Sequence, residues 1–213
     1  MNSLGKDSTL CLEWLCKFAH PSRIVSVFYQ FLAEHPGDKL YMSYLKKRYP
    51  TVEFLIAGNS IELNQIQFGV YQSPLAVNYE YNSFDHEEFD RRKYTSELQK
   101  DLGLDFVCAG FSKYEGFARA SRFYKEGLVT GDRIYPLGLM DKKQVYTLLK
   151  ETCLKLHPSY KFCKSTFDQP SYWKMRAAFI ANPEYKKTMF HWFPLMRLDE
   201  YRFERLLLNG KSS

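Results

Sequence analysis

Ser3-Leu4-Gly5-Lys6-Asp7-Ser8-Thr9 stands at the head of the first helical pattern in this chain of 213 residues. Gly5 lets the backbone approach an anion closely. Amides at a helix start point at such an anion, and the helix dipole favours it. Ser3, Ser8 and Thr9 offer hydroxyls, and Lys6 offers a countercharge. Asp7 is placed to cap the helix or to fix the loop. The string is not a Walker loop, because G-x-x-x-x-G-K-[ST] is absent and Asp follows the Lys. The helix it opens runs over residues 9–19, with Leu12, Leu15, Cys16 and Ala19 on one stripe. His20-Pro21 ends it.

Working outward, helices and strands alternate. Residues 23–32 are rich in β-branched and aromatic residues and predict a strand. Asp38 predicts the cap of a helix over 39–48, with Leu40, Tyr44 and Arg48 on one face and Met42 and Leu45 beside it. Residues 52–57 predict a second strand. Residues 60–84 predict a loop-rich connection with short helical or extended pieces. Residues 86–101 predict a helix with Phe89, Tyr94 and Leu98 inward, and Gly103 stops it. Residues 104–109 and 133–139 predict further strands, and Asp141 caps a helix over 142–154 carrying Val145, Leu148, Leu149 and Thr152. Residues 158–208 predict helical pieces broken by Pro158, Pro170, Pro183 and Pro194. The alternation predicts an α/β fold with a doubly wound, mainly parallel sheet. Residues 1–157 form the α/β domain in this reading, and 158–213 a helical C-terminal extension. Ligands of such sheets bind at the carboxyl ends of strands.

Composition narrows the classes. Hydrophobic residues make up 45% and charged residues 25%, which excludes a disordered chain. No apolar run approaches the roughly 20 residues of a membrane helix. MNSLGKDS lacks a signal segment, so a cytoplasmic location without membrane contact is expected. Cys11, Cys16, Cys108, Cys153 and Cys163 are an odd set without C-x-x-C spacing, expected to be reduced thiols. Scattered histidines, His157 and His191 among them, give no metal motif, and no metal ligands are assigned. The net charge of +6 suits an anionic ligand, either a nucleotide or a nucleic acid. The basic clusters at 46–48, 91–93, 142–143 and 186–187 read first as solvated helix faces. The aromatic residues from Tyr172 to Phe203 either stack bases or form the small core of a helical cap.

The S-x-G-K-D-S string resembles the pyrophosphate loop (PP-loop) of the adenine nucleotide alpha hydrolase superfamily. That superfamily includes ATP pyrophosphatases, tRNA-thiolating enzymes and phosphoadenosine phosphosulfate (PAPS) reductases. The Lys before Asp-Ser is most similar to the PAPS reductase and sulfate adenylyltransferase branch. Residues 104–122, LDFVCAGFSKYEGFARASR, are similar to that branch's strand followed by G-x-R-x-x-E-S-x-x-R. Gly110 and Glu115 match, Lys113 stands near the basic position, and Arg119 or Arg122 takes the distal arginine. Ser112 replaces the usual Arg. Pro136, Leu137, Asp141, Val145, Leu149, Pro158 and Tyr160 follow a third family segment, so the likeness spans about residues 3–160. The family's cysteine-bearing tail, its cluster ligands and its D-T-G-type acidic segment have no counterpart. The family also places a strand before the loop, whereas only Met1 and Asn2 precede Ser3. That strand is expected upstream, from another segment or another protein chain, unless the site has decayed.

The resemblance implies a PP-loop sheet that binds an adenine nucleotide, ATP or PAPS, with Mg2+. Ser3, Leu4, Gly5, Lys6, Asp7, Ser8, Thr9, Gly110 and Lys113 are the implied binding residues. Lys6, Glu115, Arg119 and Arg122 are the implied catalytic ones. The expected chemistry is attack of an acceptor oxygen on the α-phosphorus, with pyrophosphate leaving. The alternatives are a sulfonucleotide reductase, whose thiol is Cys163 between Lys161 and Lys164 or comes from a partner, and a non-catalytic relative with an assembly role, such as a phage accessory protein.

Overall fold

The computed structural model describes residues 3–19, 22–31, 34–58, 62, 65–66, 69–72, 91–161 and 171–209. The expected connection over 60–84, the start of the helix at 86–90, Phe89 and Cys163 lie wholly or mostly outside the described residues. The architecture is mixed α/β and divides into two units. The first is Met1–Tyr29, Gly37–Ala57 and Arg92–Pro158; the second is Gln30–Pro36, Gly58–Arg91 and Ser159–Ser213.

In the first unit, α1 (Lys6–Trp14) runs into a π-turn, Leu15–Ala19. It starts three residues earlier than its apolar stripe predicts. Thr9, Leu10, Cys11, Leu12 and Glu13 are all buried, so the helix is covered nearly all round rather than along one stripe. Strand β1 (Val25–Gln30) and α2 (Asp38–Arg48) follow. Gly37, at φ 99°, caps α2, and a Cβ there would lie 2.9 Å from Pro158. Asp38 therefore sits inside the helix, and its carboxylate meets the buried His157 Nε2 at 3.0 Å. The inward face of α2 is Tyr41, Met42 and Leu45; Leu40 is 70% exposed, which corrects the expected face by one residue. Lys46, Lys47 and Arg48 occupy the last turn, where cations complement the helix dipole.

Strand β2 is Glu53–Gly58, α3 is Arg91–Asp101 and β3 is Val107–Cys108. A 3-10 turn (Lys113–Glu115) leads into α4 (Phe117–Glu126), a helix that the sequence reading left unassigned. Strands β4 (Val129–Thr130) and β5 (Arg133–Ile134) precede α5 (Lys142–Glu151). Asp141 caps α5 as expected: its carboxylate accepts the Gln144 N–H at 2.8 Å, and the Gln144 amide oxygen accepts the Asp141 N–H at 2.8 Å. The expected strand over 133–139 is cut short because Gly138 N–H turns back to the Tyr135 carbonyl at 3.0 Å.

Among the described residues the strands form two small sheets, β1-β2 and β3-β5-β4, rather than one continuous sheet. β3 pairs in parallel with β5 (Val107 opposite Arg133), and β4 pairs antiparallel with β5. β1 and β3 are both edge strands. Residues of both line a cavity of about 510 Å3, together with Ser8, Cys11 and Leu12 from α1, Leu15 from the π-turn, and Thr95, Leu98 and Gln99 from α3. The main core lies beside it, built from Leu4, Leu10, Leu12, Phe28, Tyr41, Leu45, Leu137, Val145 and Leu149.

The second unit holds α6 (Tyr172–Ala181), α7 (Pro183–Trp192) and α8 (Met196–Asn209). As expected, Pro183 separates two helical pieces and stands at the first position of α7: Asn182 accepts the Tyr185 N–H at 3.0 Å, and a proline loses nothing there. Tyr172, Phe179, Tyr185, Phe190 and Phe193 are buried in a core of their own. That core, rather than an exposed stacking surface, accounts for most of the aromatic tail. Tyr71 joins it, donating to Asp199 at 2.7 Å, with its carbonyl accepting the Leu195 N–H at 2.9 Å. Burial and the Asp199 carboxylate push its phenol up to about 12.

Candidate phosphate-binding loop

The loop before α1 is held from both ends. Leu4 is 1% exposed and sits in the main core, with its backbone at φ 57°. A left-handed leucine costs about 1 kcal/mol, which its buried side chain offsets. Gly5 is the N-cap residue, and its carbonyl accepts both the Thr9 N–H and the Thr9 hydroxyl at 3.0 Å. Thr9 is buried, and the Tyr41 hydroxyl donates to it at 3.3 Å. Ser3 and Ser8 hydroxyls lie 2.9 Å apart across the loop. The first-turn amides of any helix lack intrahelical acceptors, so α1 presents its positive end beside Gly5.

Lys6 and Asp7 are joined to a residue far along the chain. The Lys6 ammonium pairs with the Asp7 carboxylate and lies 2.5 Å from the Tyr114 hydroxyl. That hydroxyl donates to the other Asp7 oxygen at 2.8 Å. The ammonium also lies over the Tyr114 ring at 5.1 Å and near the Tyr146 ring at 5.8 Å. Burial pulls the Lys6 pKa down, but the bonds to Asp7 and Tyr114 outweigh it and leave it raised. Burial is also the largest influence on Tyr114, whose phenol is raised despite the lysine. Lys6 is therefore a fixed, part-buried cation at neutral pH.

Gly110 packs directly on this loop. A Cβ at Gly110 would lie 2.6 Å from the carbonyl carbon and oxygen of Asp7 and 2.9 Å from the Ser8 nitrogen. The structure thus brings Gly110 to the loop through a close backbone approach. Lys113 is anchored through its main chain, N–H to the Gly138 carbonyl at 2.9 Å. Glu115 accepts the Ser112 N–H at 3.1 Å and pairs with Arg119 one turn on. The Arg119 guanidinium stacks on Phe111 at 4.3 Å. Arg122 is engaged separately, with Glu126 at 2.8 Å and over the Tyr135 ring at 5.5 Å. The loop, Gly110 and Tyr114 therefore form one cluster, while Glu115–Arg119 and Arg122–Glu126 are two further ion pairs. Tyr114 was missed by the sequence reading; its signal was its place inside the S-x-x-E box of Ser112 and Glu115.

Behind the loop, buried Glu13 binds Arg48 at 3.1 Å, Lys17 at 2.6 Å and the Tyr49 hydroxyl. Burial raises the Glu13 pKa, yet these three donors leave it lowered overall. Burial, and then the same carboxylate, push the Tyr49 phenol far up.

Neither a protein-family model nor a curated protein matches this sequence. Among solved structures, the chain is similar to the U34-tRNA thiolase NcsA from Methanococcus maripaludis with its [4Fe-4S] cluster, at 18% identity and a TM-score of 0.47, covering 96% of this chain and 70% of that one. No helix among the described residues is long and apolar enough to cross a membrane.

Proposed function

We propose that this chain is a PP-loop protein that binds an adenine nucleotide through Ser3–Thr9 and splits the α–β bond of ATP to adenylate an acceptor. The observation that carries the reading is the seating of the α1 start against Gly110, with Lys6 fixed beside it by Asp7 and Tyr114. The residues present suit a polyphosphate: a part-buried cation, a helix start and two hydroxyls. In this reading Gly5 and the α1 amides hold phosphate oxygens, and Ser3 and Ser8 donate to them. Lys6 neutralises charge on the departing pyrophosphate, which is transition-state stabilisation by a preorganised group. Arg119, released from Glu115, takes a second phosphate or the acceptor, and Lys113 and Arg122 add positive potential. Mg2+ supplies charge neutralisation when bound with the nucleotide. Residues 1–157 form the nucleotide-binding part in this proposal, and 158–213 a helical extension.

Two alternatives stay defined. A PAPS reductase-like activity requires a thiol, with Cys163 as the candidate. An accessory role requires neither nucleotide nor thiol. A thermal-shift panel of ATP, ADP, AMP, adenosine phosphosulfate and PAPS with Mg2+, on wild type and Lys6→Ala, separates them. At a hundredfold excess over Kd, a ligand stabilises by about 2.7 kcal/mol, a rise of about 5–10 °C for a chain of this size. The expected result is a Lys6-dependent shift with ATP together with release of pyrophosphate. No shift with any nucleotide on folded protein overturns the enzyme reading.

The proposal includes a partner. The cavity between the edge strands β1 and β3 suits an apolar strand from another protein chain, which would join the two sheets. Support comes from its lining by both edge strands and by residues of α1 and α3. A strand covered on both faces is expected to be continuously apolar. A synthetic Val/Ile-rich hexapeptide with lysine ends should raise the melting temperature; an unchanged melt at saturating peptide would sink this part.

A further inference from the structure

The proposed reaction uses no thiol of the first unit, yet two thiols there stand in contact. Cys11 on α1 and Cys108 on β3 have Sγ atoms 3.1 Å apart, and both line the cavity. Cys11 is 4% exposed and Cys108 is half-buried. A disulfide bond is about 2.04 Å long, so closing the gap takes about 1 Å of side-chain movement. We propose that Cys11 and Cys108 are a redox-active dithiol that closes reversibly to a disulfide, tying α1 to β3 directly behind the phosphate-binding loop.

The pair has the asymmetry that the chemistry needs. The two sulfurs share a hydrogen bond; that bond and burial raise the Cys11 pKa, and the same bond lowers the Cys108 pKa despite its own burial. Cys108 is thus the better nucleophile, and its partial exposure to the cavity, when no partner strand fills it, gives a small oxidant access. With a low-molecular-weight disulfide such as oxidised glutathione, the Cys108 thiolate attacks one glutathione sulfur. The glutathione S–S bond breaks, and the first glutathione leaves as a thiolate and takes a proton. Cys11 then loses its proton and attacks Cys108 Sγ, and the second glutathione leaves as a thiol. The protein gives up two electrons and two protons, and glutathione disulfide becomes two thiols.

The position gives the bond its effect. Cys11 lies one helical turn after Asp7, and Cys108 lies two residues before Gly110, whose backbone abuts Asp7. The bridge therefore pins both sides of the loop contact. It also closes a long stretch of chain, a constraint expected to raise the melting temperature by about 5–15 °C. The inference stands on the Cys11–Cys108 geometry and does not depend on the nucleotide reading.

The test is an equilibration of the whole chain in glutathione redox buffers, followed by rapid alkylation and peptide mass mapping. The expected result is loss of two alkylatable thiols, with the peptides of Cys11 and Cys108 joined and released again by dithiothreitol. Cys11→Ser should stop at a mixed disulfide between glutathione and Cys108, and Cys108→Ser should abolish both species. If either variant fails to fold, mapping of the wild type alone decides. Full alkylation of Cys11 and Cys108 in oxidised, folded protein overturns the proposal, as does a bridge involving Cys16, Cys153 or Cys163 instead.

Discussion

Replacement of Gly110 by alanine tests the loop geometry without removing a single polar group. The added Cβ would sit 2.6 Å from the Asp7 carbonyl carbon and oxygen, where ordinary contact begins at 3.4 Å. The backbone at the start of α1 must then retreat by about 0.8 Å, the difference between those distances. These are main-chain atoms flanked by buried Leu4 and Thr9, so no flexible side chain can yield instead. Overpacking of this kind costs about 1–3 kcal/mol, which for a chain of this size lowers the melting temperature by about 2–12 °C. Gly58→Ala is the control, since a Cβ there meets nothing within 4 Å. At an unstrained site alanine stabilises by about 0.4–1 kcal/mol through the unfolded chain. Paired thermal and urea melts of the two variants give the comparison. If Gly110→Ala melts with or above Gly58→Ala, the close approach of Gly110 to the loop is wrong.

Three further outcomes are expected. Tyr114→Phe removes the hydroxyl that bridges Lys6 and Asp7 and should cost about 1–3 kcal/mol in urea melts; an unchanged stability would show that the bridge is idle. Glu13→Gln should cost about 3 kcal/mol at pH 7, because Arg48 and Lys17 lose their shared anion. The Glu13 pKa is lowered in the fold, so its contribution is present above its unfolded value of about 4.3 and fades as pH falls through the folded value; the variant should accordingly lose less stability than wild type between pH 5 and pH 3, and parallel losses would refute the assignment. Asp141→Ala should cost about 1 kcal/mol by uncapping α5, read as a fall of about 2–4 °C.

What was legible in the sequence is local. The Asp141 cap, the presence of β1 and β2 and the alternation of helix and strand all follow from patterns a few residues long. The Ser3–Thr9 loop was legible for the same reason: a glycine, a lysine and hydroxyls at a helix start carry their own logic. The partner of Lys6 and Asp7 was not, because Tyr114 lies 108 residues from Lys6 and only the tertiary fold joins them. Gly110 was named from a motif, but its reason is steric and belongs to Asp7, not to its own turn. The face of α2 was misjudged because Leu40 and Tyr41 are both apolar and a one-residue rotation satisfies the same pattern. Cys11 and Cys108, expected only to be reduced thiols, lie 97 apart in sequence and became a pair only in space.

The division of the chain carries a consequence for how it can be handled. The polypeptide passes five times between its two units, after residues 29, 36, 57, 91 and 158. A single cut at 158 would therefore not yield one unit free of the other. It would remove α6, α7 and α8 and strip Ile66 and Tyr71 of the helices they pack against. Dissection into expressible halves, the usual route to assigning separate tasks, is closed by this threading. Separate roles for the two units must be sought by point substitution in the intact chain, and a protease that severs one connection should leave both parts held together.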